Sequence, residues 1–523
     1  MSITLLDVVL AGIVLWLVKT ILSSQRSSAS LPPGPKGLPL LANLLDLPQK
    51  EQWKTFADWG RRYGPIVHVR ALGQSFIILN DVHVAGDMLD KKSAIYSDRP
   101  VFMMAGELTG WKDTLVFTPP GERFKEYRKY LHGAMGTRSA IEKLHGLFET
   151  ETQAFLKRVL RRPEAFAENI RDTAGSVILQ VTYGYKPKQD QDDIVDLVEV
   201  ALRQFTEVMK PNAFLVDLIP PLRYVPSWFP GAGWKRKAEY YHATVQQMAD
   251  VPLQFVRKQM SEGVASLSMV SSLLDQNNTP EQERNIKWAS ASMYSVLLRD
   301  TPPTWALTWA LQTVSAIHTF FLAMTVYPEV QRKAQAEIDA VVGNDRLLTF
   351  ADRPQLPYVD ALISEILRWG TVAPLGVPHT LSKYDIHDGY FIPEGAIVLP
   401  NVKGMLHDPD VYPDPWNFKP ERFVAEEGKP AEQDPRSCCF GFGRRRSLKP
   451  SRLLTGLNLA DATVWASVAM SLAVFDIQRK VVDGVEVVPP EPLFEDEMIS
   501  HPTPFGCSIK PRSAKAESLI LGD

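Results

Sequence analysis

The segment ITLLDVVLAGIVLWLVKTIL, Ile3 to Leu22, constrains this chain more than any other stretch, because it carries no charge from Val8 to Val18. As a helix it extends about 30 Å, the thickness of a bilayer's hydrocarbon core. Asp7 and Lys19 stand towards its ends, and Lys19, Arg26 and Lys36 follow on one side. The positive-inside rule then places the rest of the chain in the cytosol. A cleaved signal peptide, cut near SSAS, is the competing reading, but the first residues hold no Lys or Arg. A buried core helix at a terminus would normally show a polar face, and this one has none. The expectation is an uncleaved anchor at 3–22.

The next residues fix how the body hangs from that anchor. Leu31 to Pro39, LPPGPKGLP, holds four prolines and two glycines, which no helix or central strand accepts. Residues 23–51 are therefore expected to form an extended hinge, with the body running over 52–523. The whole chain is 45% hydrophobic and 22% charged, enough apolar content for a large core and too much for a disordered chain. No low-complexity linker divides it, which favours a single large domain. Its net charge of −3 and the lack of a long basic stripe argue against nucleic acid as a partner. Three cysteines, Cys438, Cys439 and Cys507, two of them adjacent, make no disulfide framework and suit a reducing compartment.

Periodicity predicts a mainly α fold with a smaller β region. PIVHVRALGQSFIILND alternates like a strand pair around a glycine turn. Helical spacing is read at Gly121–Met135, Ala140–Arg161, Ala165–Thr182, Lys235–Met260, Pro328–Val342 and Tyr358–Trp369. A last helix is read at Ala460–Val474. Strands return near YDIHDGYFIPEGAIVLPN and in the tail, and no internal repeat appears.

In SEILRWG, Glu365 and Arg368 are spaced i, i+3 and share a helix face, which by itself describes an ordinary ion pair. PERF, Pro420 to Phe423, adds Arg422, and CFGFGRR follows from Cys439. With the anchor, the PPGP hinge, PLGVPH and the long run ending in PERF, this ordered set resembles the cytochrome P-450 family of haem-thiolate monooxygenases, in a basidiomycete-type fungal form. The resemblance spans nearly the whole chain. It implies that Glu365, Arg368 and Arg422 form a buried triad behind a b-type haem. It implies that Arg128, His379 and Arg445 face the propionates, with Phe124 where tryptophan is more usual. Phe440, Gly441 and Gly443 would line the cofactor, the glycines letting the backbone pass close to it. Phe102, Met103, Met104, Trp111 and Phe505 would face an apolar substrate. The implied partners are an NADPH-dependent flavoprotein reductase, docked in part by cations such as Lys125 and Lys129, an apolar small molecule, and the endoplasmic reticulum membrane.

Two stretches depart from that pattern. Where the family places its thiolate cysteine stands Ser447, and where glycine follows stands Lys449. A serine hydroxyl is harder and far less acidic than a thiol and does not do the thiolate's electronic work. Within Val296–Gln312, VLLRDTPPTWALTWALQ, two prolines interrupt what otherwise reads as one helix. Asp300 and Thr301 there stand as the acid–threonine pair that delivers protons to oxygen, or as a chance dipeptide, with Thr313 a second candidate threonine. Three readings remain open. The chain is a working monooxygenase mistranslated at two splice junctions, covering 296–312 and 446–458; or it is an inactive, membrane-anchored relative that at most binds haem or an apolar ligand; or it is a structural or interaction protein.

Overall fold

Apolar residues in IVHVRA bury Ile66, Val67, Val69 and Ala71 and anchor β1 (Ile66–Ala71) in the core of the first compact unit. The computed structural model describes residues 29–522 apart from 40, 72, 189–191, 210–213, 276, 295–308, 426–427, 444–456, 492 and 497–498. The expected anchor at 3–22 lies outside these residues. The chain divides into two compact units, Met1–Pro100 with Val377–Asn401, and Val101–Gly376 with Val402–Asp523.

In the first unit β1 pairs antiparallel with β2 (Gln74–Leu79), Ile66 facing Leu79. Gly73, at φ +83°, makes the turn between them as the sequence predicts. β3 (His379–Thr380) and the hairpin of β4 (Asp385–His387) and β5 (Tyr390–Ile392) precede β6 (Ile397–Pro400). The sheet order is β1-β2-β6-β3, with β2 and β6 parallel. A parallel pair needs a crossover connection, and here the entire segment 101–376 is inserted between its two strands. A helix at Gln52–Tyr63 flanks β1. The proline-rich hinge is extended, but from Pro33 onward it is bound to the sheet. The His68 amide donates to Pro33 O at 3.0 Å, and Asn43 and Arg70 exchange bonds of 2.7 and 3.1 Å. Gly34 lies so close to β1 that a Cβ would stand 2.0 Å from His68 O. Gly34→Ala is expected to lift residues 31–38 off the strand at a cost of about 1–3 kcal/mol. Faster tryptic cleavage after exposed Lys36 would report it; an unchanged cleavage rate would contradict it.

The second unit is mainly helical. Helices run at Glu122–Met135, His145–Arg161, Phe166–Tyr183, Gly233–Ser261, Pro328–Val341, Pro357–Trp369 and Leu457–Val474, close to the bounds periodicity predicts. The stretch read as one helix at Ala140–Arg161 is two, Arg138–Glu142 and His145–Arg161. The restart lets His145 stack on Phe350 at 3.9 Å. The helix at Asp193–Met209 was not expected. Its signal was present, because Asp192 Oδ1 caps the amides of Ile194 and Val195 at 3.0 and 3.1 Å. Leu457–Val474 is, among the described residues, the helix long and apolar enough to cross a membrane; 83% of it is buried, and it packs on helices His145–Arg161 and Trp309–Val326. It is a core helix. Nor is it the last one, since Ala514–Leu521 follows, capped by Ser513 Oγ. β7 (Phe475–Arg479) pairs with β10 (Cys507–Pro511), and β8 (Val481–Val482) with β9 (Val485–Glu486), which gives the tail its expected strands.

Candidate functional site

Helix Pro357–Trp369 is buried on every side from Ala361 to Trp369, and Glu365 and Arg368 lie within that stretch with no solvent exposure. Two ionised groups in such a place must satisfy each other. Arg368 grips Glu365 with both ends of its fork, Nε to Oε2 at 2.7 Å and Nη2 to Oε1 at 2.8 Å. Its remaining nitrogen donates to the carbonyls of Leu406 and Pro415 at 3.1 and 2.8 Å. Arg422 enters from the PERF turn, its Nε 3.5 Å from Glu365 Oε1, an ion pair too long to be a good hydrogen bond. Arg422 bonds instead to the carbonyls of Pro413 and Asp414 and pairs with Glu432 at 3.3 Å. The Lys419 amide gives Glu365 a further bond at 2.8 Å. Burial pushes the Glu365 carboxyl upward, against the pull of Arg368, the Lys419 amide and Arg422. The three residues read as a triad thus meet, with Glu365 at the centre. Its role is to staple helix 357–369 to the 406–422 segment.

A second charge network, which the sequence did not reveal, holds the start of the glycine loop. Partly buried Asp461 takes Arg353 at 2.6 Å and Arg436 at 3.2 Å, and Arg436 also reaches Ser364 Oγ at 2.9 Å. The two guanidiniums hold the Asp461 carboxyl below the usual carboxylate range despite its burial. Arg436 is the middle residue of the 3₁₀ turn Pro435–Ser437 that leads to Cys438, so this network sets the direction in which the loop departs. Cys438 is buried, its Sγ 3.7 Å from Pro435 O, the small packing role expected of it. Phe440 is partly buried against the core. Gly441 and Gly443 have φ of +82° and +85°, conformations that L side chains rarely adopt, and a Cβ on Gly441 would meet open space. The loop therefore turns twice where glycine stands and leaves room on one side. Cys507 lies in β10, where burial pushes its thiol up to about 12, so it is no thiolate at neutral pH.

Arg128 stands on helix Glu122–Met135, half-buried, 6.0 Å from the Phe124 ring. Among the described residues no carboxylate pairs with it, and burial lowers its pKa, as for a cation awaiting an anion. In the other unit His379 is buried, with Nδ1 2.7 Å from Tyr96 O. A carbonyl only accepts, so Nδ1 carries the proton, and Nε2 can donate to a carboxylate only as imidazolium. Of the residues expected to face substrate, Phe102 and Trp111 join an aromatic cluster: Trp111 lies 4.4 Å from Phe205, and Phe117 lies 6.0 Å from Phe205 and 5.8 Å from Phe102. Met104 is fully buried and Met103 partly so. Phe505 packs 5.5 Å from Phe166 and 5.2 Å from His318. Arg445, Ser447 and Lys449, and Asp300 with Thr301, lie outside the described residues. Thr313 is buried at the start of the resumed helix.

The cytochrome P-450 family profile matches residues 32–446. The chain belongs to the cytochrome P-450 family. A cytochrome P-450 monooxygenase of Postia placenta, number 208, is 51% identical over 95% of this chain and 93% of its own length. The monooxygenase claR of Ampulloclitocybe clavipes is 41% identical over all of this chain and 94% of its own length. The monooxygenase ppsD of Aspergillus oryzae is 40% identical over 96% and 93%. By family the chain is a haem-dependent monooxygenase. Two features among the described residues fit that cofactor: the positive-φ glycines with open space beside Gly441, and half-buried Arg128, which has no acid partner among the described residues and suits a carboxylate. The family match ends one residue before Ser447.

Proposed function

We propose that the native protein is a membrane-anchored P-450 that oxidises an apolar small molecule with electrons drawn from NADPH through a flavoprotein reductase. On this reading residues 52–523 form the haem domain, and 296–312 and 446–458 are read across two misplaced splice junctions. The observation that carries this is the family match over residues 32–446, which ends one residue before Ser447, where the ligand cysteine is due. Point-by-point decay would scatter departures along the chain, whereas the two departures from the family pattern read here fall in short stretches with well-formed surroundings.

Haem held by a thiolate would supply the oxygen activation, one atom of O₂ entering a C–H or C=C bond and the other leaving as water. Arg128 would neutralise a propionate, and His379, as imidazolium, would donate to one. The glycines would let the loop approach the ring face, and Glu365, Arg368 and Arg422 would keep the wall behind it rigid. Phe102, Trp111, Phe117 and Phe205 would exclude water and bind an apolar substrate. Exposed apolar residues at Leu215, Ile219, Trp228 and Phe229, close in sequence to Arg223, Lys235, Arg236 and Lys237, suit a lipid surface and support the membrane reading. Peptides from the native host test the proposal. Sequences that bypass 296–312 and restore a cysteine after Arg445 are expected; peptides matching these stretches as written would refute it. Ser447 favours the second reading in that event, an inactive relative that binds haem or an apolar ligand.

A further inference from the structure

Helix Glu122–Met135 carries two stripes of different character. Phe124, Leu131 and Met135 are buried and share a stripe with half-buried Arg128. Arg123, Glu126, Tyr127 and Tyr130 form the other, and at 3.6 residues per turn Arg128 stands about 140° round the axis from Arg123. Every polar side chain on this second stripe has a partner. Arg123 Nη1 donates to Asp113 Oδ1 at 2.8 Å, and the buried Tyr127 hydroxyl donates to Asp113 O at 3.0 Å. Burial pushes the Tyr127 phenol upward, so it keeps the proton it donates. Arg284 Nη2, from helix Pro280–Tyr294, lies 3.4 Å from the same Asp113 oxygen. Asn285 of that helix donates to Glu126, as does Tyr130. Asp113 is itself fixed. It is buried at the end of the 3₁₀ turn Trp111–Asp113, and two residues on the Leu115 amide donates to Ser292 Oγ at 2.8 Å. A helix held at Arg123, and again one turn on at Glu126 and Tyr127, cannot roll about its axis. The roll decides where Arg128 points.

We propose that Asp113 is a positioning residue: through Arg123 and Tyr127 it fixes the roll of helix Glu122–Met135 and so aims Arg128 at a carboxylate of the porphyrin. The aim rests on the reading of Arg128 as a propionate partner; the clamp does not.

Hydrogen exchange followed by mass spectrometry on the full chain tests the clamp and needs no cofactor. Asp113→Ala is expected to speed exchange of the 126–135 amides roughly 5- to 10-fold, the scale of a charged hydrogen bond in a half-exposed place. Helix Phe166–Tyr183 should stay unchanged. A change within about twofold, or equal acceleration in both helices, would overturn the proposal. Should the alanine variant not fold, Arg123→Gln breaks the same pair from its more exposed side and must show the same effect.

Binding of iron-free protoporphyrin IX, followed by quenching of tryptophan fluorescence, tests the aim; without iron the axial ligand plays no part. The wild-type chain should bind the diacid at least about 5-fold more tightly than its dimethyl ester, because only the diacid can pair with Arg128. Asp113→Ala should weaken the diacid roughly 5- to 10-fold, leave the ester within about twofold, and do nothing further in an Arg128→Ala background. Equal weakening of diacid and ester would mean a merely structural role and would overturn the proposal. A wild-type preference for the diacid that survives Asp113→Ala would overturn the positioning role alone. Equal binding of diacid and ester by the wild type, or binding of neither, would overturn the propionate reading and the aim with it.

Discussion

Arg368→Ala is expected to destabilise the chain by about 3–5 kcal/mol, the scale found when one partner of a buried ion pair is removed. Glu365, with no solvent exposure, would lose its bidentate partner and be left with only the Lys419 amide and the more distant Arg422, either charged and poorly paired or forced to take up a proton. Leu406 and Pro415 would lose their donor as well. Against a total of about 5–15 kcal/mol for a folded protein, that is enough to lose much of the native population. Arg368→Lys should recover only part of the loss, because one ammonium cannot fork onto both Glu365 oxygens and still reach two carbonyls. Exposed Lys333 on Glu421 gives the contrast, with a cost below about 1 kcal/mol for Lys333→Ala. Urea unfolding midpoints measure all three. An alanine variant within 1 kcal/mol of wild type would mean that the buried cluster is not the staple described.

Acid should unfold this chain well before its carboxylates titrate. His318 is buried between the rings of Phe166 and Phe505, with His501 and Arg171 adding positive charge, and its pKa falls from 6.5 to about 3. His407 is buried, with Nδ1 3.0 Å from Lys403 O and Arg368 nearby, and is lowered well below 6.5. Burial is the main cause in both. Unfolded, each ring takes a proton near pH 6.5; folded, each stays neutral until far lower pH. Their contribution is therefore complete above about pH 6.5 and is lost as pH falls towards about 3. Each costs about 1.4 kcal/mol per pH unit once the unfolded ring is protonated, so the pair removes roughly 2–3 kcal/mol between pH 6 and 5. His501 and His68, lowered to about 3 and about 4, add in the same direction. Unfolding at pH 5 should take up at least two protons, and His318→Gln should remove one of them. A stability that stays flat between pH 6.5 and 5 would contradict the buried, neutral assignment.

Much of this molecule was legible because its signals are local. The strand pair at 66–79 announces itself by alternation and a glycine, and helix Pro357–Trp369 by its spacing of apolar residues. Glu365, Arg368 and Arg422 were found as motif positions, and the buried pairing then follows from their faces. What stayed hidden depends on partners distant in sequence. Nothing in DPRSCCF says that Arg436 will share Asp461 with Arg353. Nothing in LTGWKD says that Asp113 will hold Arg284 as well as Arg123. The hinge prolines predicted an extended backbone, but not that Gly34 would lie against His68 O. Composition misleads in one place: helix Leu457–Val474 is as apolar as a membrane span and is buried in the core.

As it stands, the sequence keeps the family's glycine loop but carries Ser447 where the thiolate cysteine is due. The most direct test is the absorption spectrum of the reduced, carbon monoxide-bound protein, expressed with the sequence as it stands. The account predicts either no haem or a haem lacking the red-shifted band of thiolate ligation. A clear thiolate band would contradict it, because Cys438, Cys439 or Cys507 would then have to reach the iron.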